Sequence, residues 1–537
     1  MKYPIGIQSF DRIREDGFVY VDKTDMVYSL VHEGSIYFLS RPRRFGKSLL
    51  VSTLACYFQG RRELFDGLAI ASLEKDWLTY PIFRIDFNGG PYTQPGILEA
   101  TLESYIAKWE VVYGKDPLDT TLTDRFRGVL RRAYEQTGLR AVVLIDEYDK
   151  PILDVLDTGA STLNSVGRER MLEDQHRELL AAFYSTFKGA DEYLKFVLLT
   201  GVTKFSQVSV FSGFNQPKDI SMDKRYETLC GITPEEMERY FAEPIATLAD
   251  AMQCTVEEMK AWLKRQYDGY HFSTNMADIY NPFSILNAFD KQEIRDYWFA
   301  TGTPSYLIRL LQHSREHVNE LVGKYYRPAL FVDYKADVEQ PLPMIYQSGY
   351  LTMKEYNARM GTYLLDFPNN EVREGFLSLL SVSYFKPKSK EVSSWITDAV
   401  TDLDRGDTDA FRRSLTAFPG KHPLRCPRLA EGYRHHREAF PVHFLPVAAP
   451  DRRLQPRHPL RRPPKLRPGG LHDRAGRLCL HLRVQTGRNS PGSSGTDRAD
   501  GVCQTIRSGP AESDLYRHEL LFRYADCGGL GGNYTCT

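Results

Sequence analysis

The feature that most constrains this chain is a short apolar stretch that leads directly into a loop and the start of a helix. Residues 36–39 read Ile-Tyr-Phe-Leu, and residues 40–48 read Ser-Arg-Pro-Arg-Arg-Phe-Gly-Lys-Ser. The last three residues match the end of the pattern G-x-x-x-x-G-K-[ST], in which backbone N–H groups at a helix N-terminus hold phosphate oxygens. An apolar stripe at helical spacing follows, from residue 49 to residue 58. The sequence therefore predicts a phosphate-binding loop between a strand and a helix.

The pattern assigns a role to each side chain at its end. Lys47 is expected to reach the β- and γ-phosphates, and the hydroxyl of Ser48 is expected to bind Mg²⁺. The first glycine of the pattern is replaced by Arg41, a residue with less access to positive φ. A chance Gly-Lys-Ser at a helix start is therefore an alternative when the loop is taken alone. The predicted nucleotide-binding residues are Arg43, Arg44, Phe45, Gly46, Lys47 and Ser48.

A second stretch supplies the acidic half of such a site. Residues 141–145 read Ala-Val-Val-Leu-Ile and are followed at once by Asp146 and Glu147. A carboxylate at the end of a parallel strand can hold Mg²⁺, and a second one beside it can orient the attacking water. We expect Asp146 at the metal and Glu147 at the water, with Asp149 next in line for that role. The alternative, a strand followed by a solvated acidic turn, is disfavoured because both motifs occur in the right order.

Two further predicted strands end in polar residues. Residues 82–86 end in Asp86, and residues 195–199 are followed by Thr200. Alternating strands and helices predict a parallel sheet whose ligand lies at the carboxyl ends of the strands. Thr200 is a candidate for sensing the γ-phosphate, and a hydroxyl that only satisfies a strand end is the open alternative. Asp86 is more typical of an ordinary strand end than of a third site acid.

With these motifs the chain resembles the AAA-ATPase-like proteins, which are abundant in gut bacteria and in which a P-loop domain is usually followed by a PD-(D/E)xK nuclease domain. The arginine in place of the first glycine belongs to the loop of that family. The resemblance runs from residue 1 to about residue 418. Besides the loop and the acidic strand end, it is carried by the motifs at residues 20–24, 200–205, 267–270, 280–284, 298–304 and 347–351.

The resemblance implies an ATP-binding, ATP-hydrolysing switch that accompanies a nuclease. The candidate catalytic residues are Glu147, Lys47 and Thr200, the candidate metal ligands are Ser48 and Asp146, and the implied cofactors are ATP and Mg²⁺. The expected partners are a nucleotide, nucleic acid through the nuclease part of the family, and further copies of the chain in a homo-oligomer. A module that binds a nucleotide or another anion without hydrolysis is the alternative.

The expected fold class is α/β, with a P-loop NTPase parallel sheet flanked by helices, then a mainly helical region and a disordered tail. A threonine cap with a glutamate three residues later, at Thr233 and Glu236, predicts a helix from residue 234. The aromatic loops that follow are more typical of core than of an interaction surface. The expected domains are a P-loop domain over residues 1–230, a helical lid or adapter over 231–300, a small mixed region over 301–418 and a basic tail over 419–537.

Composition favours a cytoplasmic protein. The sequence has no apolar run near 18 residues and no signal-peptide pattern at its start, so we expect no membrane partner. The cysteines before residue 419 are Cys56, Cys230 and Cys254, whose spacing matches no metal motif and suits a reducing compartment.

The tail differs in composition from the rest of the chain. Residues 419–537 hold 20 Lys and Arg against 10 Asp and Glu, and their apolar residues follow no sustained period. When the codons are read one base out of frame, residues 483–498 permit the string EFKLDGTAREALAQIE and residues 467–472 permit GRADCM. These strings resemble the two halves of a nuclease metal site. We therefore interpret the tail as an out-of-frame nuclease remnant without nuclease residues. A basic arm that binds nucleic acid is the alternative.

Overall fold

The chain divides into two compact units, residues 1–383 and residues 384–537. In the second unit, strands Leu482–Gln485 and Asn533–Cys536 pair antiparallel. Residues 389–417 have a polar, amphipathic sequence that predicts a helical segment. They lie outside the described residues, as does the rest of the predicted disordered tail. The computed structural model describes residues 1–163, 169–205, 217–301, 307, 321–332, 340–376, 482–485 and 533–536.

The centre of the first unit is a parallel sheet. The described strands of this unit are, in chain order, β1 (Ile36–Ser40), β2 (Ile82–Asp86), β3 (Ala141–Asp146), β4 (Ser161–Leu163), β5 (Glu169–Met171), β6 (Leu194–Gly201), β7 (Lys218–Asp219), β8 (Lys324–Tyr326), β9 (Thr352–Asn357) and β10 (Thr362–Asp366). Five of these described strands form the sheet in the order β2-β3-β6-β1-β7, and all neighbours are parallel. Because β6 lies between β1 and β3, its carboxyl end separates the loop after β1 from the acids after β3.

The two central strands explain why the sheet forms here. All six residues of β3 are buried, as are seven of the eight residues of β6. A near-continuous apolar run is typical of strands that helices cover on both faces. Val143 pairs with Val197, and Leu144 pairs with Leu198. The predicted α/β class with a parallel sheet is confirmed.

Helices flank this sheet. The described α-helices are α1 (Phe10–Glu15), α2 (Thr24–Glu33), α3 (Lys47–Phe58), α4 (Ile70–Leu73), α5 (Ile97–Tyr113), α6 (Leu122–Thr137), α7 (Lys150–Val155), α8 (Leu172–Gly189), α9 (Pro234–Ala251), α10 (Val256–Tyr267), α11 (Pro282–Lys291), α12 (Tyr297–Ala300) and α13 (Leu342–Gln347). Helices α3 and α6 pack against β3, and α5 and α8 pack against α6. The N-terminus of α3 therefore lies at the carboxyl edge of the sheet, where β1 ends.

A helical cluster follows the sheet along the chain. Thr233 and Glu236 form a capping box at the start of α9, as the sequence predicts, and Thr255 and Glu258 form another at α10. Helices α9, α10 and α11 share a core that includes Phe241. Strands β8, β10 and β9 form a small antiparallel sheet beyond it. No helix of the described residues combines the length and the apolar character that crossing a membrane requires.

Candidate functional site

The predicted phosphate loop, residues 40–48, connects β1 to α3. Arg44 and Gly46 have positive φ angles of 68° and 95°. A Cβ added to Gly46 would meet no heavy atom within 4 Å, so there is open space beside the helix N-terminus. Left-handed residues in such a loop turn successive N–H groups toward a common centre, and the helix dipole favours negative charge there. The backbone conformation therefore suits an anion at the residues that the sequence analysis named.

The side chain of Lys47 lies within this loop and is only 4% exposed. Its Nζ donates hydrogen bonds to the carbonyl oxygens of Arg41, at 3.1 Å, and Pro42, at 3.3 Å. The same Nζ is 3.6 Å from Oε1 of Glu147. The ammonium group thus joins the phosphate loop to the acids at the end of β3.

Arg41, which replaces the first glycine of the pattern, is buried and connects the loop to later parts of the chain. Its guanidinium donates to the carbonyl oxygens of Ser221, at 2.7 Å, and Tyr226, at 3.2 Å. It also lies over the ring of Phe272, 4.1 Å from the ring centroid. Burial lowers the pKa of this guanidinium, and the ring face offsets part of the cost of burying it. The side chain therefore fastens the loop to two later segments of the chain.

The general pattern places glycine, the residue with free access to positive φ, at the position that Arg41 occupies. Among the described residues 41–46, positive φ occurs at Arg44 and Gly46 and not at Arg41. The first position of this loop therefore does not require glycine, which agrees with the arginine found there. At Arg44 the left-handed conformation is adopted by a residue type that takes it up less readily than glycine.

The acids at the end of β3 lie beside the end of β6. Asp146 is 1% exposed, and its Oδ1 accepts hydrogen bonds from Oγ1 of Thr200, at 2.6 Å, and from the backbone N–H of Glu147, at 3.1 Å. The strand order explains the first contact, because β6 is hydrogen-bonded to β3 on the side that faces β1. Thr200 therefore orients the carboxylate that the sequence analysis assigned to the metal.

Glu147 has an unusual backbone conformation. Its φ angle is +52°, in the left-handed region. Non-glycine residues held there cost about 1–3 kcal/mol, and such residues cluster at functional sites. The carboxylate of Glu147 is one-fifth exposed and faces Lys47. The strained turn thus holds a partly accessible carboxylate next to the buried cation.

Asp149 fixes the turn after β3 to the segment after β6. Its Oδ2 accepts hydrogen bonds from the backbone N–H groups of Val202, at 3.0 Å, and Thr203, at 2.6 Å. Burial raises the pKa of this carboxyl, and the negative charge of Glu147 raises it further. A Cβ on Gly201 would lie 2.5 Å from Oδ1 of Asp149. A glycine is therefore needed at the end of β6 because Asp149 approaches so closely.

Comparisons with known proteins identify the family. A family model described as "Predicted AAA-ATPase" (AAA-ATPase_like) matches residues 4–211. A relative from Azotobacter chroococcum mcd 1, described as "Uncharacterized protein in vnfD 5'region", is 39% identical over 451 residues, which cover 82% of each protein. This chain belongs to the AAA-ATPase-like family. Membership supports an ATPase-like role with a nucleotide as ligand and, as is usual for ATPases, dependence on Mg²⁺.

Three further residues near this edge of the AAA-ATPase-like chain make contacts within the fold, and of these only Phe45 is a predicted nucleotide-binding residue. Phe45 is buried, and its ring meets that of Tyr270 edge-on at 4.8 Å, so only its backbone faces the loop centre. The ammonium of Lys204 pairs with Asp219 at 2.9 Å. Asp86 is level with Asp146 in the sheet, and its Oδ1 accepts the N–H of residue 88 at 2.8 Å. Burial and then the charge of Asp146 raise the pKa of Asp86.

Trp298, which no motif assigned to the site, contacts the phosphate loop. Nε1 of Trp298 donates a hydrogen bond to the carbonyl oxygen of Arg43 at 3.0 Å. Trp298 begins one of the motifs that carry the family resemblance, and that was the available signal. Its partner lies 255 residues away in sequence, so no local period or spacing indicates the contact.

Proposed function

We propose that this chain binds ATP with Mg²⁺ at the carboxyl edge of its parallel sheet and hydrolyses it slowly, acting as a nucleotide switch. The proposal is carried by the convergence of Lys47, Asp146 and Glu147, which follow two different strands. A buried cation beside two carboxylates, next to N–H groups at a helix start, suits phosphoryl transfer. The family match supports the same assignment.

The phosphate loop would bind the nucleotide mainly through its backbone. The N–H groups of residues 43–48 would donate to the β- and γ-phosphate oxygens, and the Nζ of Lys47 would exchange its carbonyl partners for phosphate oxygens. The open space beside Gly46 and the positive φ at Arg44 and Gly46 support this role. The open space also leaves the N–H groups at the start of α3 accessible to an anion.

The hydroxyl of Ser48 and the carboxylate of Asp146 would hold Mg²⁺. Both are hard oxygen ligands, and Mg²⁺ is commonly held by one or two protein groups together with substrate phosphates. When bound, the ion offsets negative charge on the phosphate oxygens. The hydrogen bond from Thr200 fixes the orientation of Asp146. Thr200 would thereby respond to any change at the γ-phosphate.

Glu147 would orient the attacking water and accept its proton. Its carboxylate is partly exposed, unlike that of Asp146, and its position depends on the strained turn after β3. In the described conformation its partner is Lys47, so binding of phosphate by that lysine would release the glutamate toward water. Nucleotide binding and activation of Glu147 would then be linked.

The test is a calorimetric titration with ATP–Mg²⁺ together with an assay of phosphate release. Lys47→Ala should weaken binding by at least about 1–3 kcal/mol, the scale of a lost charge-assisted hydrogen bond. Lys260→Ala is the matched control, because that lysine lies on α10 and pairs with Glu238, away from the loop. Equal affinity of the Lys47→Ala variant and the unchanged chain would refute the assignment of this loop.

A second function is favoured by the pairing of Lys47 with Glu147. If this pair persists when nucleotide is bound, the chain is a binding module that holds a nucleotide or another anion without turnover. Two results together would support this module over the ATPase. The unchanged chain would bind ATP without releasing phosphate over many hours, and the Lys47→Ala variant would bind ATP more weakly.

We further propose that the switch controls the nuclease domain in relatives that carry one, and that residues 419–537 of this chain are the out-of-frame remnant of that domain. The abrupt change in composition after residue 418 and the nuclease-like strings in the shifted frame support this interpretation. Resequencing the DNA around codon 418 tests it directly. A confirmed reading frame across that codon would refute it.

A further inference from the structure

The outer side of the phosphate loop is packed against segments from much later in the chain. We call residues 267–300 and 340–376 the loop cover. A Cβ added to Gly349 would lie 2.6 Å from Cβ of Pro42, so the cover approaches the ring of Pro42 there as closely as a glycine allows. The rings of Phe45 and Tyr270 meet on the same side. The proposed function uses none of these contacts.

One contact of the loop cover is directed at a single peptide group. Nε1 of Trp298 donates to the carbonyl oxygen of Arg43. That carbonyl shares a peptide plane with the N–H of Arg44, and in a trans peptide the two groups point in opposite directions. A donor that holds the carbonyl on the cover side therefore holds the N–H of Arg44 away from the cover. Arg44 also has positive φ, so this peptide is where the loop departs from ordinary backbone.

The indole of Trp298 is itself held firmly. The backbone N–H of Trp298 donates to Oε1 of Glu371 at 2.6 Å, and the other oxygen of that carboxylate accepts from the hydroxyl of Ser284 at 2.7 Å. The indole packs edge-on against the ring of Tyr350, with centroids 5.2 Å apart. Trp298 is 6% exposed. Because both the backbone and the ring of Trp298 are held in place, its indole N–H can fix the orientation of the carbonyl group to which it donates.

We propose that Trp298 is a positioning residue of the nucleotide site. By holding the carbonyl of Arg43, it keeps the N–H of Arg44 turned toward the bound phosphate, and it makes the loop cover respond to nucleotide. This inference rests on the proposed ATP site. Since coupling between two interactions is reciprocal, nucleotide on the loop must also stabilise the contact with Trp298.

The first experiment replaces the donor and keeps an aromatic ring. Trp298→Phe should raise the Kd for ATP–Mg²⁺ about tenfold, the scale of one lost hydrogen bond between neutral groups. Trp262→Phe is the matched control, because that tryptophan packs partly buried against the helical cluster. It should leave the Kd unchanged. A merely structural Trp298 would lower the melting temperature of the nucleotide-free chain without changing the Kd, and that result would overturn the proposal.

The second experiment uses the unchanged chain, so it does not depend on how well the variant folds. Hydrogen–deuterium exchange is followed by mass spectrometry in the peptides that contain residues 41–48 and 295–301. ATP–Mg²⁺ should slow exchange in both peptides together, and in neither peptide of the Lys47→Ala variant. Protection of the loop peptide alone would overturn the proposal.

The two proposals fail in different ways. If the unchanged chain does not bind ATP–Mg²⁺ in calorimetry, the proposed function fails and this inference fails with it. If the unchanged chain binds, Lys47→Ala weakens binding and Trp298→Phe binds as tightly as the unchanged chain, only the role of Trp298 is refuted.

Discussion

The acid edge of the sheet and the loop cover act on the same phosphate loop, but their sequences encode this in different ways. The acid edge, by which we mean Asp146, Glu147 and Thr200, is local: the two acids stand at the end of β3, and Thr200 stands near the end of β6, the next strand of the sheet. The loop cover reaches the loop through contacts such as Trp298 to Arg43, which no motif spacing describes. The chemical groups of a site can thus be predicted from sequence motifs, while the groups that orient them cannot.

The largest effect should come from the acid edge. Glu147→Gln is expected to keep ATP binding, because Lys47, Ser48 and Asp146 remain, but to reduce phosphate release about 100-fold or more. Glu178→Gln, a change of an exposed glutamate on α8, is the control. Turnover equal to that of the unchanged chain would remove Glu147 from the mechanism and make Asp149 the next candidate.

A smaller effect, on the stability of the fold, is expected where the end of β6 packs against the turn after β3. Gly201→Ala places a Cβ 2.5 Å from Oδ1 of Asp149 and 2.7 Å from Cδ1 of Tyr148, both on buried side chains. Overpacking of this kind costs about 1–3 kcal/mol of the free energy of unfolding, measured by denaturant titration. Gly189→Ala is the matched control, since its nearest contacts are at 3.7 Å to a flexible arginine side chain. Equal stability of the two variants would contradict this prediction, because it would show that the turn after β3 can shift to accommodate the added methyl group at little cost.

These expectations show how far the sequence could predict the structure. The run Ala141–Ile145 predicts β3 because burial on both faces demands unbroken apolar residues. The cap at Thr233 predicts the start of α9 because side-chain capping is local chemistry. The role of Arg41 was not predictable, since it depends on Ser221, Tyr226 and Phe272, which are brought to it only by the tertiary fold.

The loop cover should show a pH dependence of its own stability. Burial raises the pKa of Glu371 to about 8, and the charge of Asp296 adds to the shift. Between about pH 4.3, the value for an unfolded chain, and pH 8, the unfolded chain loses this proton while the folded chain keeps it. This contribution to stability is therefore fully present below that window and is lost as the pH rises through it.

Glu371→Gln removes the titrating group and keeps a similar shape. The melting temperature of the unchanged chain should fall more between pH 5 and pH 8 than that of the variant. Asp149 and Asp268 also have raised pKa values, but they are present in both proteins and cancel in the comparison. Glu355→Gln, on the exposed side of β9, should keep the slope of the unchanged chain. A parallel fall in the Glu371→Gln variant would assign the slope to other groups.

The smallest effect is expected from removing the tail. The sequence of residues 419–537 has no sustained apolar period, and a segment without an apolar face buries little surface against a folded body. A chain ending at residue 418 should therefore melt within about 1 °C of the full chain, with the same affinity for ATP–Mg²⁺.

The full chain should also show no metal-dependent DNA cleavage, because its tail lacks the Asp and E-x-K carboxylates of the nuclease pattern. Restoring the frame at codon 418 should create that cleavage if the domain is active in its relatives. A protease-resistant tail, or a large loss of stability on truncation, would mean that the tail is a folded part of the protein and that the frame interpretation is wrong.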